Sequence, residues 1–258
     1  ISGDLHVGTG VTVFSSTGIV SATAYHHSDG SFIGFRQDGQ NNLYAGTSAG
    51  AASDSDTQFN IGMGFKAGTA LNEGDHNVFL GTYAGCAATS GGSNVFVGCN
   101  SGKRALGSSN IFLGSAAGCG ASGTATGSYN MAFGFESFDR FTTGSENIFL
   151  GHHAGRCTTT GSNNLIFGQG AGGCGTLTGG HNILMGHCTA MCITSASHNI
   201  LIGDCAAVMN TVTGTYNTGV GKQSLCKLSS GSFNVAMGWM AGNNTSDQSG
   251  NTFIGMAA

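Results

Sequence analysis

An internal repeat of about 17 residues runs through most of this chain and constrains its fold more than any other feature. Asparagines recur at spacings of 16 to 20 residues, and each is followed four positions later by a glycine. A typical copy reads GSNNLIFGQGAG at residues 161–172. The asparagines are Asn42, Asn60, Asn77, Asn94, Asn110, Asn130, Asn147, Asn164, Asn182, Asn199, Asn217, Asn234 and Asn251. The glycines are Gly46, Gly64, Gly81, Gly98, Gly114, Gly134, Gly151, Gly168, Gly186, Gly203, Gly221, Gly238 and Gly255.

Three mostly apolar residues follow each asparagine, as in Val78–Leu80 and Ile148–Leu150. A short apolar run that is rich in β-branched and aromatic residues and bounded by glycine is typical of a β-strand. The repeat is too short for a helical hairpin, but it can hold one coil with two short strands. We therefore predict an all-β fold in which residues 39–258 form the shaft, a parallel β-solenoid (β-roll) of about 13 short coils. At a rise of about 4.8 Å per coil, the shaft would be roughly 60 Å long.

Three positions of the repeat have distinct structural requirements. Counting the asparagine as position 0, we expect its side chain to form a ladder of amides that are hydrogen-bonded from coil to coil. The corner glycine at position +4 suits a turn with positive φ or a close approach of two backbones. Position +7 is always Ala, Ser or Thr, which indicates a crowded interior.

The alternation within each strand predicts oligomerisation. Residues +1 and +3 line one face of the strand, whereas residue +2 lines the other, and most of these residues are apolar. A coil this thin can bury only one apolar face, and the other would exceed what a soluble monomer exposes. We expect that stripe to pack against copies of itself in a homotrimer, either intertwined or side by side, with cyclic closure.

Composition excludes several other classes. The 258 residues include 47 Gly and no Pro, without the three-residue period that collagen requires. Charged residues make up 8% of the chain and hydrophobic ones 40%, which is atypical of disorder. No apolar run is long enough for membrane insertion, and a net charge of −4 with only 8 Lys and Arg gives no nucleic-acid footprint.

Residues 1–38 lack the repeat. Short alternating segments such as VTVF (11–14) and SFIGF (31–35) predict strands between Gly and Ser breaks. We interpret this region as a small trimeric N-terminal β collar that leads into the solenoid, or equally as a cap that covers the first coil.

The repeats resemble those of two groups of fibrous proteins. GSYNMAFG (127–134) and GSFNVAMG (231–238) are similar to repeats in the heads of trimeric autotransporter adhesins, which are left-handed parallel β-rolls. The fuller form GSNNLIFGQGAG is similar to repeats of bacteriophage tail-fibre and tail-spike proteins, as STGIVSATAY (16–25) is to linking segments of phage fibre shafts. The resemblance implies a trimeric fibre, often followed in such proteins by a self-cleaving chaperone.

Cysteine and histidine suggest metal chemistry but form no zinc-binding motif. Cys157, Cys174 and Cys192 share position +10, and Cys188 and Cys205 share position +6. We interpret the thiols as small hydrophobes at crowded corners and predict no metal site and no cofactor. His76, His181 and His198 each precede a ladder asparagine, and we expect stacked or solvent-facing imidazoles.

One coil carries a candidate contact surface. FESFDRF (135–141) places aromatic residues and an arginine where other coils are small and polar, and a tryptophan lies at the same corner of a later coil. Exposed aromatics beside arginine suit glycan or protein contacts, although a locally thicker trimer core is the simpler explanation. The candidate contact residues are Phe135, Phe138, Arg140, Phe141 and Trp239.

The sequence indicates a structural, non-catalytic role. The 12 Asp and Glu are dispersed, and no nucleophile motif stands in a strand–turn–helix context. We expect a segment of a phage tail fibre or receptor-binding protein, located on the virion, which contacts a glycan or protein receptor on the host surface. The alternative is a cellular trimeric adhesin or extracellular filament subunit, and a polysaccharide depolymerase of the tail-spike type is a third hypothesis.

Overall fold

The computed structural model describes residues 11–14, 19–22, 25–26, 32–33, 35–121 and 125–258. The repeat region forms a parallel β-solenoid of about 12 turns, which confirms the predicted fold class. Each repeat contributes one strand of three residues, and consecutive strands pair in parallel and in register within a single sheet. The solenoid strands are β6 (Leu43–Ala45), β7 (Ile61–Met63), β8 (Val78–Leu80), β9 (Val95–Val97), β10 (Ile111–Leu113), β11 (Met131–Phe133), β12 (Ile148–Leu150), β13 (Leu165–Phe167), β14 (Ile183–Met185), β15 (Ile200–Ile202), β16 (Thr218–Val220), β17 (Val235–Met237) and β18 (Thr252–Ile254).

Five further strands precede the solenoid. They are β1 (Val11–Phe14), β2 (Ile19–Ala22), β3 (Tyr25–His26), β4 (Phe32–Ile33) and β5 (Phe35–Gln37). The first four form two antiparallel pairs, and β5 pairs antiparallel with β6, the first strand of the solenoid. Strand β5 therefore occupies an edge that would otherwise present unpaired backbone groups. Other parts of the predicted collar, among them residues 1–10, lie outside the described residues, and its trimeric state stays a prediction.

The expectation of two strands per coil is wrong, because turns replace the second strand. Apart from one isolated bridge between Ile193 and Val212, the rest of each described coil consists of turns and bends. Positions −1 and +6 adopt positive φ in every coil, as at His76 (58°) and Tyr83 (59°). The N–H groups of these two residues donate to carbonyls of the preceding coil, at 3.1 and 2.9 Å. These inter-coil hydrogen bonds offset the cost of left-handed backbone, which is roughly 1–2 kcal/mol per residue.

The corner glycines are required on two grounds. All thirteen have φ between 120° and 144°, a region that residues with a side chain avoid. In addition, a Cβ at Gly81 would lie closer than 3.0 Å to the carbonyl oxygen of Gly98, the corner glycine of the next coil. The coils therefore approach each other too closely at this corner for any larger residue.

The buried asparagines form a continuous hydrogen-bonded column along the shaft. In each of the twelve steps, the backbone N–H of one asparagine donates to Oδ1 of the asparagine before it, at 2.8–3.1 Å. The Nδ2 group also donates forward, to the carbonyl three residues before the next asparagine, at 2.6–3.1 Å. One side chain thus fixes both the strand and the preceding turn of the next coil.

Asp38 occupies the start of this column. Its Oδ1 accepts the backbone N–H of Asn42 at 3.0 Å, and its Oδ2 accepts Nδ2 of the same asparagine at 2.9 Å. Burial disfavours the charged carboxylate, but the hydrogen bonds from Asn42 and Gln40 outweigh it and lower the pKa of Asp38. Asp38 therefore provides the acceptors that a preceding asparagine provides elsewhere.

In most coils, the two interior positions +2 and +8 are complementary in size. Where position +2 is Phe or Tyr, position +8 is glycine, and a Cβ at Gly102 or Gly155 would lie closer than 3.0 Å to the ring of Phe96 or Phe149. Where position +2 is small, two coils place a large residue at +8, in the pairs Ala132–Phe138 and Gly219–Leu225, whereas Gly62 and Ala236 are followed by Gly68 and Gly242. In those two coils the large residue at +8 fills the interior that an aromatic ring at +2 fills elsewhere.

Replacing one ladder asparagine tests the column. In Asn164→Ala, the buried carbonyl of Gly179 and the backbone N–H of Asn182 lose their partners. We expect a loss of roughly 1–3 kcal/mol in the free energy of unfolding, measured by denaturant titration. Asn72→Ala is the control, because the Asn72 side chain makes no hydrogen bond to any residue that the structure describes. Equal stability of the two variants would contradict a structural role for the column.

A double-mutant cycle tests the size relation between +2 and +8. Ala132→Phe alone should cost about 1–3 kcal/mol through overpacking, and Phe138→Gly alone about 3–5 kcal/mol through the cavity it leaves. The double variant recreates the Phe–Gly pair found at Phe149 and Gly155, so we expect it to be more stable than the sum of the single variants predicts. Strictly additive free energies of unfolding would contradict the relation.

Candidate interaction surfaces

The outward face of the sheet is an apolar surface along the whole shaft. Residues +2 point into the coil and are buried in all strands except β18, whereas residues +1 and +3 are half-buried or exposed. The rows +1 and +3 are apolar except for Thr218 and Thr252. The middle row therefore fills the coil, and the first and third rows form the predicted outer stripe.

Positions −1 and +5 flank the strands and carry further exposed apolar side chains in some coils. All exposed large apolar side chains except Met209 lie at −1, +1, +3 or +5 among the described side chains. They are Phe59, Phe65, Tyr129, Met131, Phe135, Ile148, Leu150, Ile200, Tyr216, Phe233, Met237, Trp239, Ile254 and Met256. We call rows +1 and +3 the apolar face, because rows −1 and +5, which flank it, also carry polar residues such as Asn163, Asp204 and Lys222. The other turns of the coil carry mainly Ser, Thr, Asn and Gly.

A column of stacked rings forms one border of the apolar face. His181, His198, Tyr216 and Phe233 occupy position −1 of consecutive coils, with ring centroids 4.8, 4.8 and 5.1 Å apart. His76 stacks on Phe59 in the same way, at 5.1 Å. The stacked imidazoles predicted for His76, His181 and His198 are confirmed. Because the rings cover one another's faces, the column presents mainly ring edges to its surroundings.

The candidate contact surface around residues 135–141 is only partly exposed. Phe135 and Trp239 are about half exposed, at 46% and 49%, and the Arg140 side chain is 60% exposed. Phe138 and Phe141, however, are fully buried. Their rings pack 4.5 Å apart inside the coil, and Phe138 lies a further 4.5 Å from Phe149. For these two residues the exposed contact role is wrong, because they fill the interior of the coil, where Ala132 leaves room for them, and a thicker trimer core stays a prediction.

Beside Phe135, the titratable side chains form an ion-pair cluster. Arg156 Nε lies 2.9 Å from Glu136 Oε2 and 4.0 Å from Asp139 Oδ2, and His153 Nε2 lies 3.1 Å from the same Glu136 oxygen. Burial, and then repulsion from Glu136, raises the pKa of Asp139. Burial and the neighbouring His152 and Arg156 charges lower the pKa of His153. The Arg156 guanidinium contacts both carboxylates, so Glu136 and Asp139 belong to one charge network.

The cysteines are all free thiols, and their environments differ from the expected one. Only Cys226 is buried, at 5% exposure, whereas Cys99 and Cys174 are exposed and the others are half-buried. The interpretation as small hydrophobes at crowded corners is therefore correct for Cys226 alone. Burial raises the pKa of the thiols at Cys86 and Cys119, which favours their protonated form.

Positions +5 and +6 of two consecutive coils bring together a group that the sequence analysis missed. His187 and Cys188 lie on one coil, and Asp204 and Cys205 lie on the next. His187 Nδ1 is 3.2 Å from Asp204 Oδ1, and Cys205 Sγ is 3.4 Å from the same oxygen. Cys188 and Cys205 share position +6 of consecutive coils, and His187 and Asp204 share position +5 of the same two coils. The 17-residue separation of His187 and Asp204 is the signal that predicts their contact.

Comparisons with protein-family models, with curated proteins and with solved structures find no match for this chain. The described residues also contain no helix of the length and apolar character that crossing a membrane requires.

The raised pKa of Asp139 predicts how the stability of the protein depends on pH. Since its pKa is raised above the ordinary 3.8, the folded state binds this proton more tightly than the unfolded state does. Its contribution to stability is therefore greatest in acid and is lost as pH rises through the folded pKa. We expect the free energy of unfolding of the wild type, relative to Asp139→Asn, to increase as pH falls from about 7 to about 4. The exposed Asp247→Asn variant controls for the removal of one charge, and a pH-independent difference at Asp139 would contradict the assignment.

Proposed function

We propose that this chain is a shaft segment of a homotrimeric fibre, and that the fibre is a phage tail fibre or receptor-binding protein that acts in host attachment without catalysis. The observation that supports this proposal most strongly is the apolar face, which continues through all thirteen strands. A regular rod with one apolar face has a mechanical use, because it can assemble side by side and hold a recognition element at a distance.

The size of the apolar face favours assembly. Thirteen strands at about 4.8 Å, each about 10 Å long, give an area on the order of 600 Å² before the flanking columns are added. Soluble monomers seldom expose apolar patches beyond a few hundred Å², and a standard interface buries about 800 Å² per partner. Three copies related by a rotation axis parallel to the shaft would cover the whole face of every copy and close the assembly.

The attachment role rests on the resemblance of the GSNNLIFGQGAG repeat to phage fibre repeats and on the dispersed positions of the Asp and Glu residues along the shaft. Phe135, Trp239 and Arg140 keep the exposure that contact with a glycan or protein receptor requires. A depolymerase would need a pair of carboxylates as its acid and base, whereas the carboxylates of Glu136 and Asp139 are paired with Arg156. We place the protein on the virion.

Native mass measurement tests the assembly. We expect light scattering to give three times the chain mass of 25.8 kDa for the wild type. Leu150→Asp combined with Phe167→Asp places two charges on the +3 row of neighbouring coils, and this double variant should dissociate because interfacial charges would lose their hydration. The control is the double variant Thr143→Asp with Thr160→Asp. Both residues are exposed in polar turns of the shaft, so this variant should remain trimeric.

A monomeric wild type would contradict the assembly proposal. Equal masses for both double variants, with unchanged circular dichroism, would show that the apolar face is not the interface.

Labelling with an antibody and imaging of intact particles tests the attachment role separately. We expect the label on virion fibres, and a label confined to a cell surface would instead favour the adhesin or filament function.

A further inference from the structure

The group at His187, Asp204 and Cys205 combines the donor atoms that transition metals prefer. Imidazole nitrogen, thiolate sulfur and carboxylate oxygen are the three ligand types of protein zinc sites. One ligand atom from each of the three residues lies within 4.8 Å of the other two. Among the residues that the structure describes, this is the one group of three or more His, Cys, Asp and Glu side chains whose ligand atoms lie that close together.

The distances within the group match a tetrahedral ion. Zinc–ligand bonds of about 2.0–2.3 Å at tetrahedral angles place neighbouring ligand atoms roughly 3.3–3.8 Å apart. The observed separations from Asp204 Oδ1 are 3.2 Å to His187 Nδ1 and 3.4 Å to Cys205 Sγ. In the third pair, a ring nitrogen of His187 lies within 4.8 Å of Cys205 Sγ.

We propose that His187 Nδ1, Asp204 Oδ1 and Cys205 Sγ bind one Zn²⁺ ion, or a similar borderline-soft divalent cation, with water in the fourth position. The ion would join two consecutive coils on the outside of the shaft. This inference is independent of the proposed fibre function, because it requires only the register of neighbouring coils.

The surroundings leave these three atoms available. Lys222 Nζ lies 3.3 Å from Oδ2 of Asp204, the oxygen that is not used, and so orients the carboxylate without covering Oδ1. Cys188 Sγ lies 3.4 Å from His187 Nε2, where it can accept the Nε2–H when Nδ1 binds the ion. Such a hydrogen bond to the remote nitrogen fixes the tautomer of a metal-binding histidine.

The backbone that carries the ligands is rigid. The N–H of Cys205 donates to the carbonyl of His187 at 2.9 Å, which fixes the two turns relative to each other. The N–H of Gln223 donates in the same way to the carbonyl of Asp204, also at 2.9 Å. Sites built on regular elements hold their ligands with less reorganisation than sites on free loops do.

Titration of the full-length, reduced chain with Zn²⁺ tests the proposal, with a chromogenic chelator as competitor. We expect one ion per chain, and an affinity at least tenfold weaker in His187→Ala and in Cys205→Ser. Cys99→Ser is the matched control, because it removes an exposed thiol at position +5 of a distant coil and should bind like the wild type. Circular dichroism confirms that each variant is folded.

Cobalt substitution supplies a readout that identifies the ligands. Co²⁺ bound at this site should show thiolate-to-cobalt charge-transfer absorption that disappears in Cys205→Ser and persists in Cys99→Ser. Saturating Zn²⁺ should also raise the thermal midpoint of the wild type but not of Cys205→Ser, because an ion that binds only the folded state stabilises it. No binding by the wild type, or binding and a cobalt spectrum that survive in both site variants, would overturn the proposal.

Discussion

The asparagine column is the interaction on which the rest of the structure depends. A coil of this size cannot bury enough apolar surface to order its own turns, so each coil takes its geometry from the previous one. The amide does this with both of its polar atoms, because Oδ1 accepts from the next strand and Nδ2 donates to the turn before that strand. Asp38 performs the same function at the first coil, where no asparagine precedes it.

The register that the column imposes explains the surfaces of the shaft. Because side chains alternate across a strand, a slip of one residue would exchange the buried and outward rows of a coil. With the register fixed, Phe79, Phe96 and Phe112 stack inside the shaft at 5.1 Å, and the rows +1 and +3 form one continuous outer surface. The same register places His187 beside Asp204, although 17 residues separate them.

Sequence reasoning predicted the strands, the ladder asparagines and the corner glycines, because each is imposed by a local requirement that repeats thirteen times. It failed where one residue depends on another in the same coil. Phe138 was interpreted by its own position, although the size of Ala132 six residues earlier decides whether that position is buried. Gly219 and Leu225 show the same relation in a later coil, but Gly62 and Ala236 are followed by Gly68 and Gly242, so a small residue at +2 does not by itself predict a large one at +8.

The sequence by itself determined the number of coils, their parallel order and the residue that links them, since spacing and hydrogen-bonding capacity alone require these features. Only the tertiary structure decided which strand face points outward, and that turns with positive φ replace a second strand. It also decided which side chains of neighbouring turns meet. These outcomes depend on packing between coils, because residues far apart in the chain fill the same interior and donate N–H groups to one another's carbonyls.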